Sequence, residues 1–256
     1  MLLKTLKVDK LDVYVHDTRT SMGQQVAKDF GEYLRDLQSK KQEVNIVFAA
    51  APSQSDFLHS LLGEKGIDWS RVNVFHMDEY TSIGIEQEQS FAGFVKKYVA
   101  DVFPVGKFYP LNGKAEPEEE CLRYTQLLRE KKIDIVCLGI GENGHIAFND
   151  PGEADFWDEK DVKIVKLDEV CRNQQVNDKC FATIDDVPRY ALTLTVPALL
   201  RAGAMFCTVP AKTKAWAVER TLKGNVDDVC PATALRLHKN AKFYCDQDSG
   251  KALLQD

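Results

Sequence analysis

The run Leu138-Gly139-Ile140-Gly141-Glu142-Asn143-Gly144-His145-Ile146-Ala147-Phe148-Asn149-Asp150-Pro151 places a histidine in a glycine-rich loop directly behind an apolar stretch. Glycine lets a backbone turn sharply and approach a ligand closely. Imidazole titrates near neutrality, which suits His145 to proton transfer. A second group, Asp78-Glu79, follows another apolar stretch at 72–75. Adjacent carboxylates on extended backbone point to opposite sides, so one can face a ligand while the other pairs with a cation elsewhere. Two further positions suit an anion. Ser53, Gln54 and Ser55 open an expected helix, and Lys214 stands near the start of another, where its charge adds to the field of the helix N-terminus. The Gly-x-Gly pattern does not read as a dinucleotide site. That motif needs a helix opening at its third glycine and an acid ~20 residues further on, and Pro151 would break such a helix early.

These residues need a frame that brings them together, and the apolar patterning supplies one. Short strands are expected at 11–15, 44–50, 72–75, 133–138, 162–167, 190–196, 204–209 and 241–245. Helical spacing runs over 18–37, with Val26, Phe30, Tyr33 and Leu37 on one face, and over 53–62, 91–98, 117–131, 197–201, 212–222 and 231–237. Alternation of this kind implies an α/β fold: a doubly wound, mostly parallel, Rossmann-like sheet with helices on both faces. Ligands of such sheets sit outside the carboxyl ends of the strands. Four polar post-strand loops, at 51–55, 76–80, 139–150 and 210–214, should therefore open onto one edge.

Composition narrows the partners. The 256 residues are 44% hydrophobic and 28% charged, enough apolar content for a sizeable core. No repeat or Pro/Ser linker interrupts them, so one domain over 1–256 is the expectation. Thirty-three Lys and Arg against 39 Asp and Glu give a net charge of −6, which argues against nucleic acid or an anionic membrane as the main partner. No apolar run approaches the ~20 residues of a membrane helix, and residues 1–10 lack the apolar core of a signal peptide. Seven cysteines, an odd number without a Cys-x-x-Cys pair, read as reduced, mostly buried thiols of a cytoplasmic protein. No metal site is expected. His16, His59, His76 and His238 have no ligand spacing and read as structural or surface residues.

Met77-Asp78-Glu79-Tyr80 together with Gly-x-Gly-x-Asn-Gly-His-Ile-Ala-Phe-Asn-x-Pro resembles the glucosamine-6-phosphate deaminase/isomerase family. Val187-Pro188-Arg189-Tyr190-Ala191-Leu192-Thr193 and Lys214-Ala215-x-Ala217-Val218-Glu219 extend the match, which runs from about residue 10 to 245. The related 6-phosphogluconolactonases carry Asp-Gly-His followed by a Ser-containing run that this sequence lacks. The resemblance implies isomerisation of an amino-sugar 6-phosphate with loss of ammonia: glucosamine 6-phosphate would become fructose 6-phosphate, with no metal or organic cofactor. Asp78 matches the base that moves a proton from C2 to C1, and His145 the group that assists ring opening. Asn143 and Asp150 match two carboxylates that orient and polarise that histidine. Lys214 matches a phosphate-binding lysine, with Ser53, Gln54, Ser55 and Gly144 as further candidate contacts. The family's phosphate arginine has its nearest counterpart in Arg172, within 168–175.

Three positions depart from the family pattern. The first phosphate loop is usually Gly- and Thr-rich, and here it is Ala49-Ala50-Ala51-Pro52-Ser53-Gln54-Ser55. Asn143 replaces a common Asp; an amide can hydrogen-bond imidazole but cannot balance its charge. Asp150 replaces a usual Glu, one methylene longer. Galactosamine-6-phosphate deaminase, 6-phosphogluconolactonase and a non-catalytic sugar-phosphate sensor are the alternative readings. The partner is a small sugar phosphate, and a homo-oligomer is left open. Some relatives take an N-acetylated sugar phosphate as activator shortly after the Phe-Asn-x-Pro motif. Here 151–161 holds five acids and one base, so no such activation is expected.

Overall fold

The computed structural model describes residues 1–167, 169–177 and 180–255, and leaves undescribed the side chains of Val170, Cys171 and Gln174. Asp168 and the Cys171 thiol therefore lie outside the described residues.

Eleven strands are present: β1 (Leu2–Val8), β2 (Leu11–His16), β3 (Val44–Phe48), β4 (Val72–His76), β5 (Asp78–Tyr80), β6 (Lys107–Tyr109), β7 (Ile135–Leu138), β8 (Val162–Lys166), β9 (Tyr190–Leu194), β10 (Ala204–Val209) and β11 (Ala241–Asp246). The helices are α1 (Arg19–Lys40), α2 (Ser55–Leu61), α3 (Phe91–Val95), α4 (Pro117–Lys131), α5 (Glu169–Asn177), α6 (Val196–Leu200) and α7 (Ala215–Lys223). Eight strands form one sheet in the order β1-β2-β11-β10-β7-β3-β4-β6. Every pairing in it is parallel except that of β1 with β2. The expected doubly wound sheet is thus present.

β3, β4, β7 and β10 are buried along their whole length, as strands covered on both faces must be. On one face α1 lays Met22, Val26, Phe30 and Leu34 against Phe48, Phe57 and Phe206. Thr18 starts that helix by accepting the Ser21 N–H at 3.1 Å. On the other face Tyr124, Leu128, Val218 and Leu222 pack with Val47, Val136, Cys207 and Phe243.

From β3 the chain runs outward to β4 and β6, and from β7 it returns toward β10 and β11. The β3/β7 boundary is therefore the point where the strand order reverses, the usual crevice for a ligand.

A second sheet, antiparallel and three-stranded in the order β5-β9-β8, stands apart from the first. A single alternating pattern does not anticipate it. Its own small core joins Tyr80, Phe148, Val165, Phe181 and Val187. β5 begins at Asp78, so the candidate base is part of a strand rather than a post-strand loop. Among the described residues no helix is long and apolar enough to cross a membrane. Of the six cysteines described, none is disulfide-bonded; five are buried and Cys180 is partly exposed.

Candidate active site

All four expected loops contribute to one cavity of about 260 Å³ at the carboxyl edge of the large sheet. Its lining includes Ser53 after β3, Asp78 after β4, Gly139 to Glu142 and His145 after β7, and Pro210, Ala211, Thr213 and Lys214 after β10. Phe91, Phe148 and Gln175 complete the wall from the side of the small sheet. Two non-glycine residues of the lining have left-handed backbone, Ala147 (φ 51°) and Ala211 (φ 82°). Such conformations cost of order 1–3 kcal/mol and collect at functional sites.

The histidine loop is set by its glycines. Gly144 has φ 83°, which a side chain would strain. At Gly141 a Cβ would run into the imidazole ring of His145, so glycine is what allows the ring to lie over the loop. The loop closes on itself through Gly141 N–H to His145 O at 2.9 Å and Gly144 N–H to Gly141 O at 3.1 Å. His145 Nδ1 lies 3.0 Å from Asp150 Oδ1. That is ion-pair range, without a hydrogen bond at Nδ1 among the described residues. Asp150, despite its shorter side chain, reaches the imidazole.

Asn143 takes a different place from the expected one. Its amide does not touch the ring. Nδ2 donates to Asp150 Oδ1 at 2.8 Å, and Oδ1 accepts the His145 backbone N–H at 3.1 Å. Asn143 thus holds the carboxylate and the loop backbone rather than polarising the imidazole directly.

Asp78 is 8% exposed and lines the cavity. Among the described residues none hydrogen-bonds its carboxylate. Burial, with the charge of Glu79 added, holds its pKa well above the ordinary carboxylate range. Glu79 points the other way, as extended backbone requires, but its partner is not a cation. It accepts from Tyr80 N–H at 2.9 Å, Ser90 Oγ at 2.7 Å, Phe91 N–H at 3.2 Å and Ala92 N–H at 2.9 Å. The last three donors form the N-terminus of α3, a natural seat for a carboxylate. Burial raises the Glu79 pKa, opposed by these hydrogen bonds.

His76 fixes the backbone of Asp78 from below. Its Nδ1 lies 2.9 Å from Asp78 O, and its Nε2 accepts the Leu111 N–H at 2.8 Å. That pattern assigns the proton to Nδ1. Burial pushes the His76 pKa down to about 4, so the ring is neutral at pH 7.

The small sheet joins the two candidate segments. Thr193 pairs across from Asp78, and its hydroxyl accepts the Phe148 N–H at 3.1 Å. Asn149 donates to Leu194 O at 2.8 Å. β9 therefore holds Asp78 on one side and the loop after His145 on the other.

Of the expected anion contacts, Ser53 and Lys214 line the cavity. Gln54 is buried behind Ser53 and donates to its Oγ at 3.2 Å. Ser55 is exposed and off the lining, and Gly144 is buried and also off it. Arg172 is not brought to the cavity: its guanidinium donates to the carbonyls of Ile184 and Val187, the latter at 3.0 Å. Sequence reasoning missed Arg19, Thr213 and Gln175, which line the cavity from α1, from the turn before α7 and from α5.

These features define the class: a doubly wound α/β protein whose strand-end cavity combines a buried carboxylate and a histidine with the cations Arg19 and Lys214. The chain belongs to the family of glucosamine-6-phosphate isomerases and 6-phosphogluconolactonases, whose sequence model matches residues 17–244. It is 35% identical over 193 residues to a glucosamine-6-phosphate deaminase of Bacillus cereus strain B4264, covering 75% of this chain and 72% of the relative. The same figures hold for the Bacillus thuringiensis strain Al Hakam deaminase. Among solved structures, a monomeric glucosamine-6-phosphate deaminase superposes with a TM-score of 0.83 at 27% identity, over 94% of this chain and 99% of that one. The 6-phosphogluconolactonase of Thermotoga maritima shares the fold, with a TM-score of 0.76 at 18% identity over 93% and 100% of the two chains.

Proposed function

We propose that this protein is an amino-sugar 6-phosphate deaminase that converts glucosamine 6-phosphate and water to fructose 6-phosphate and ammonium, without metal or organic cofactor. His145, paired with Asp150, moves a proton from the anomeric hydroxyl to the ring oxygen as the pyranose opens. Asp78 takes the C2 proton, which leaves an enolamine, and returns a proton to C1. The resulting imine at C2 adds water and releases ammonia. Ser53 and Lys214 hold the phosphate, and binding energy from that remote end positions C2 against the carboxylate.

The observation that carries this reading is Asp78: a buried carboxylate without a hydrogen-bond partner among the described residues, in the same cavity as His145, which is itself paired with Asp150. A substrate ammonium within ~4–6 Å favours the charged form of such a group. A neutral lactone ring brings no such cation, which favours the amino sugar over 6-phosphogluconolactone. Asp78→Asn tests the assignment. Ammonium release from glucosamine 6-phosphate should fall by ~10²–10⁴-fold or more, the contribution of a positioned base, while calorimetric binding of the sugar phosphate persists. Near wild-type ammonium release would remove Asp78 from the mechanism.

A further inference from the structure

We infer that Arg19 is a second phosphate-binding cation of the cavity, acting with Lys214; this rests on the sugar-phosphate reading above and adds a residue that neither the sequence motifs nor the expected Arg172 supplies. Among the described residues, Arg19 and Lys214 are the two cations in the cavity lining. A phosphate monoester carries close to two negative charges at neutral pH, and arginine presents a planar fork of donors matched to phosphate oxygens.

Three features place Arg19 for this task. It is the first residue of α1, directly after the Thr18 cap, so its side chain leaves the helix at the end nearest the cavity. Its Nε donates to Asp56 and one Nη to the carbonyl of Pro52. Both partners belong to the segment that carries Ser53, so the guanidinium is tied to the anion loop. The other Nη donates to no atom among the described residues, which leaves two N–H groups for a ligand. The packing of α1 on α2 sets this arrangement. Gly23, one turn after Arg19 on the same helix face, lies so close to Asp56 that a Cβ there would sit 2.6 Å from the Asp56 carbonyl carbon. Glycine at 23 brings the helices close enough for Arg19 to reach Asp56. The ion pair also neutralises Asp56, which would otherwise repel phosphate.

Inorganic phosphate is the probe, because its binding does not depend on which sugar the enzyme turns over. Dissociation constants would be measured by calorimetry for the wild type, Arg19→Gln and Arg19→Lys, with melting temperature as a check on folding. Arg19 side-chain exposure of 38% tempers the expected effect. Arg19→Gln should weaken phosphate binding by about tenfold, and Arg19→Lys, which keeps the charge without the fork, by less. Steady-state rates should then show a raised KM for glucosamine 6-phosphate and a kcat changed by less than about threefold. Unchanged phosphate affinity in Arg19→Gln overturns the inference, whatever the substrate proves to be. If Arg19→Gln does not fold, Arg19→Lys decides alone: weakened phosphate binding at wild-type stability supports the role, and wild-type binding overturns it. Wild-type protein that releases no ammonium but binds phosphate through Arg19 would refute the deaminase reading and leave this one standing.

Discussion

Asn143 donates its side-chain amide to Asp150 Oδ1 at 2.8 Å, and that same oxygen lies 3.0 Å from His145 Nδ1. One carboxylate oxygen thus faces a fixed amide donor and the imidazole at once. The amide holds Asp150 without adding charge. Among the described residues, Asp150 is the carboxylate paired with the imidazole.

That arrangement makes Asn143→Asp informative. The substitution removes the donor and sets a second carboxylate against Asp150, a like-charge contact that raises the pKa of one of the pair. The melting temperature should therefore fall at pH 7.5, and the loss should shrink on acidification as the new carboxylate pair takes up a proton. Wild-type stability at both ends of the range would show that the Asn143 amide contributes nothing to holding Asp150.

Lys214→Ala should weaken glucosamine 6-phosphate binding by about 1.5–3 kcal/mol, the range for a hydrogen bond to a charged group. Binding of unphosphorylated glucosamine should hardly change. Equal losses for both sugars would place Lys214 outside the phosphate site.

Arg172→Ala should behave differently. Its guanidinium caps the Ile184 and Val187 carbonyls within the small-sheet region. Removing it leaves the buried Val187 carbonyl without its donor, while the Ile184 carbonyl keeps the Val187 N–H at 3.2 Å; the cost is about 1–3 kcal/mol. The melting temperature should fall while KM for the sugar phosphate stays within about twofold. A large rise in KM at unchanged stability would return Arg172 to phosphate binding.

Asp78 and His76 impose opposite pH dependences on stability. The Asp78 pKa is raised in the fold, so its contribution is fully present below about 4 and is lost as pH rises through the folded value. Asp78→Asn should therefore stabilise the protein at pH 7.5, with a gain that shrinks toward pH 4. The His76 pKa is lowered from 6.5 to about 4, so its contribution is present above 6.5 and is lost as pH falls toward 4. Its share of the acid loss is roughly 3 kcal/mol. His76→Gln should be less stable at pH 7.5 but lose less stability on acidification. Denaturant titrations of both variants from pH 4 to 7.5 check the two signs, and parallel curves for all three proteins would contradict them.

Some of this architecture is legible in sequence because the signal is local. The helix at Pro117–Lys131 has its proline and acids at the start, and Ala204–Val209 is apolar except at Thr208. His145 and Asp78 stand out because their motifs are contiguous. What is not legible depends on partners distant in the chain. Asp78–Tyr80 is a strand through its pairing with Thr193, Leu192 and Ala191. Leu2–Val8 is a half-exposed edge strand without clean alternation. Arg19 lines the cavity from α1, which packs at Gly23 close against Asp56, 33 residues further along the chain. The charge count over 151–161 misled in another way: Asp158 is paired with Lys163, and Asp161 with Arg129 and Arg201. The segment is therefore less repulsive to anions than its composition suggests.

The central claim is that the cavity deaminates an amino-sugar phosphate rather than hydrolysing a lactone. Purified protein should be assayed side by side on glucosamine 6-phosphate, galactosamine 6-phosphate and 6-phosphogluconolactone, with ammonium and ketose phosphate measured together. The account predicts equimolar ammonium and fructose 6-phosphate from glucosamine 6-phosphate, a lower kcat/KM on the galacto epimer and lactone hydrolysis at the uncatalysed rate. Catalysed lactone hydrolysis without ammonium from either amino sugar would contradict it.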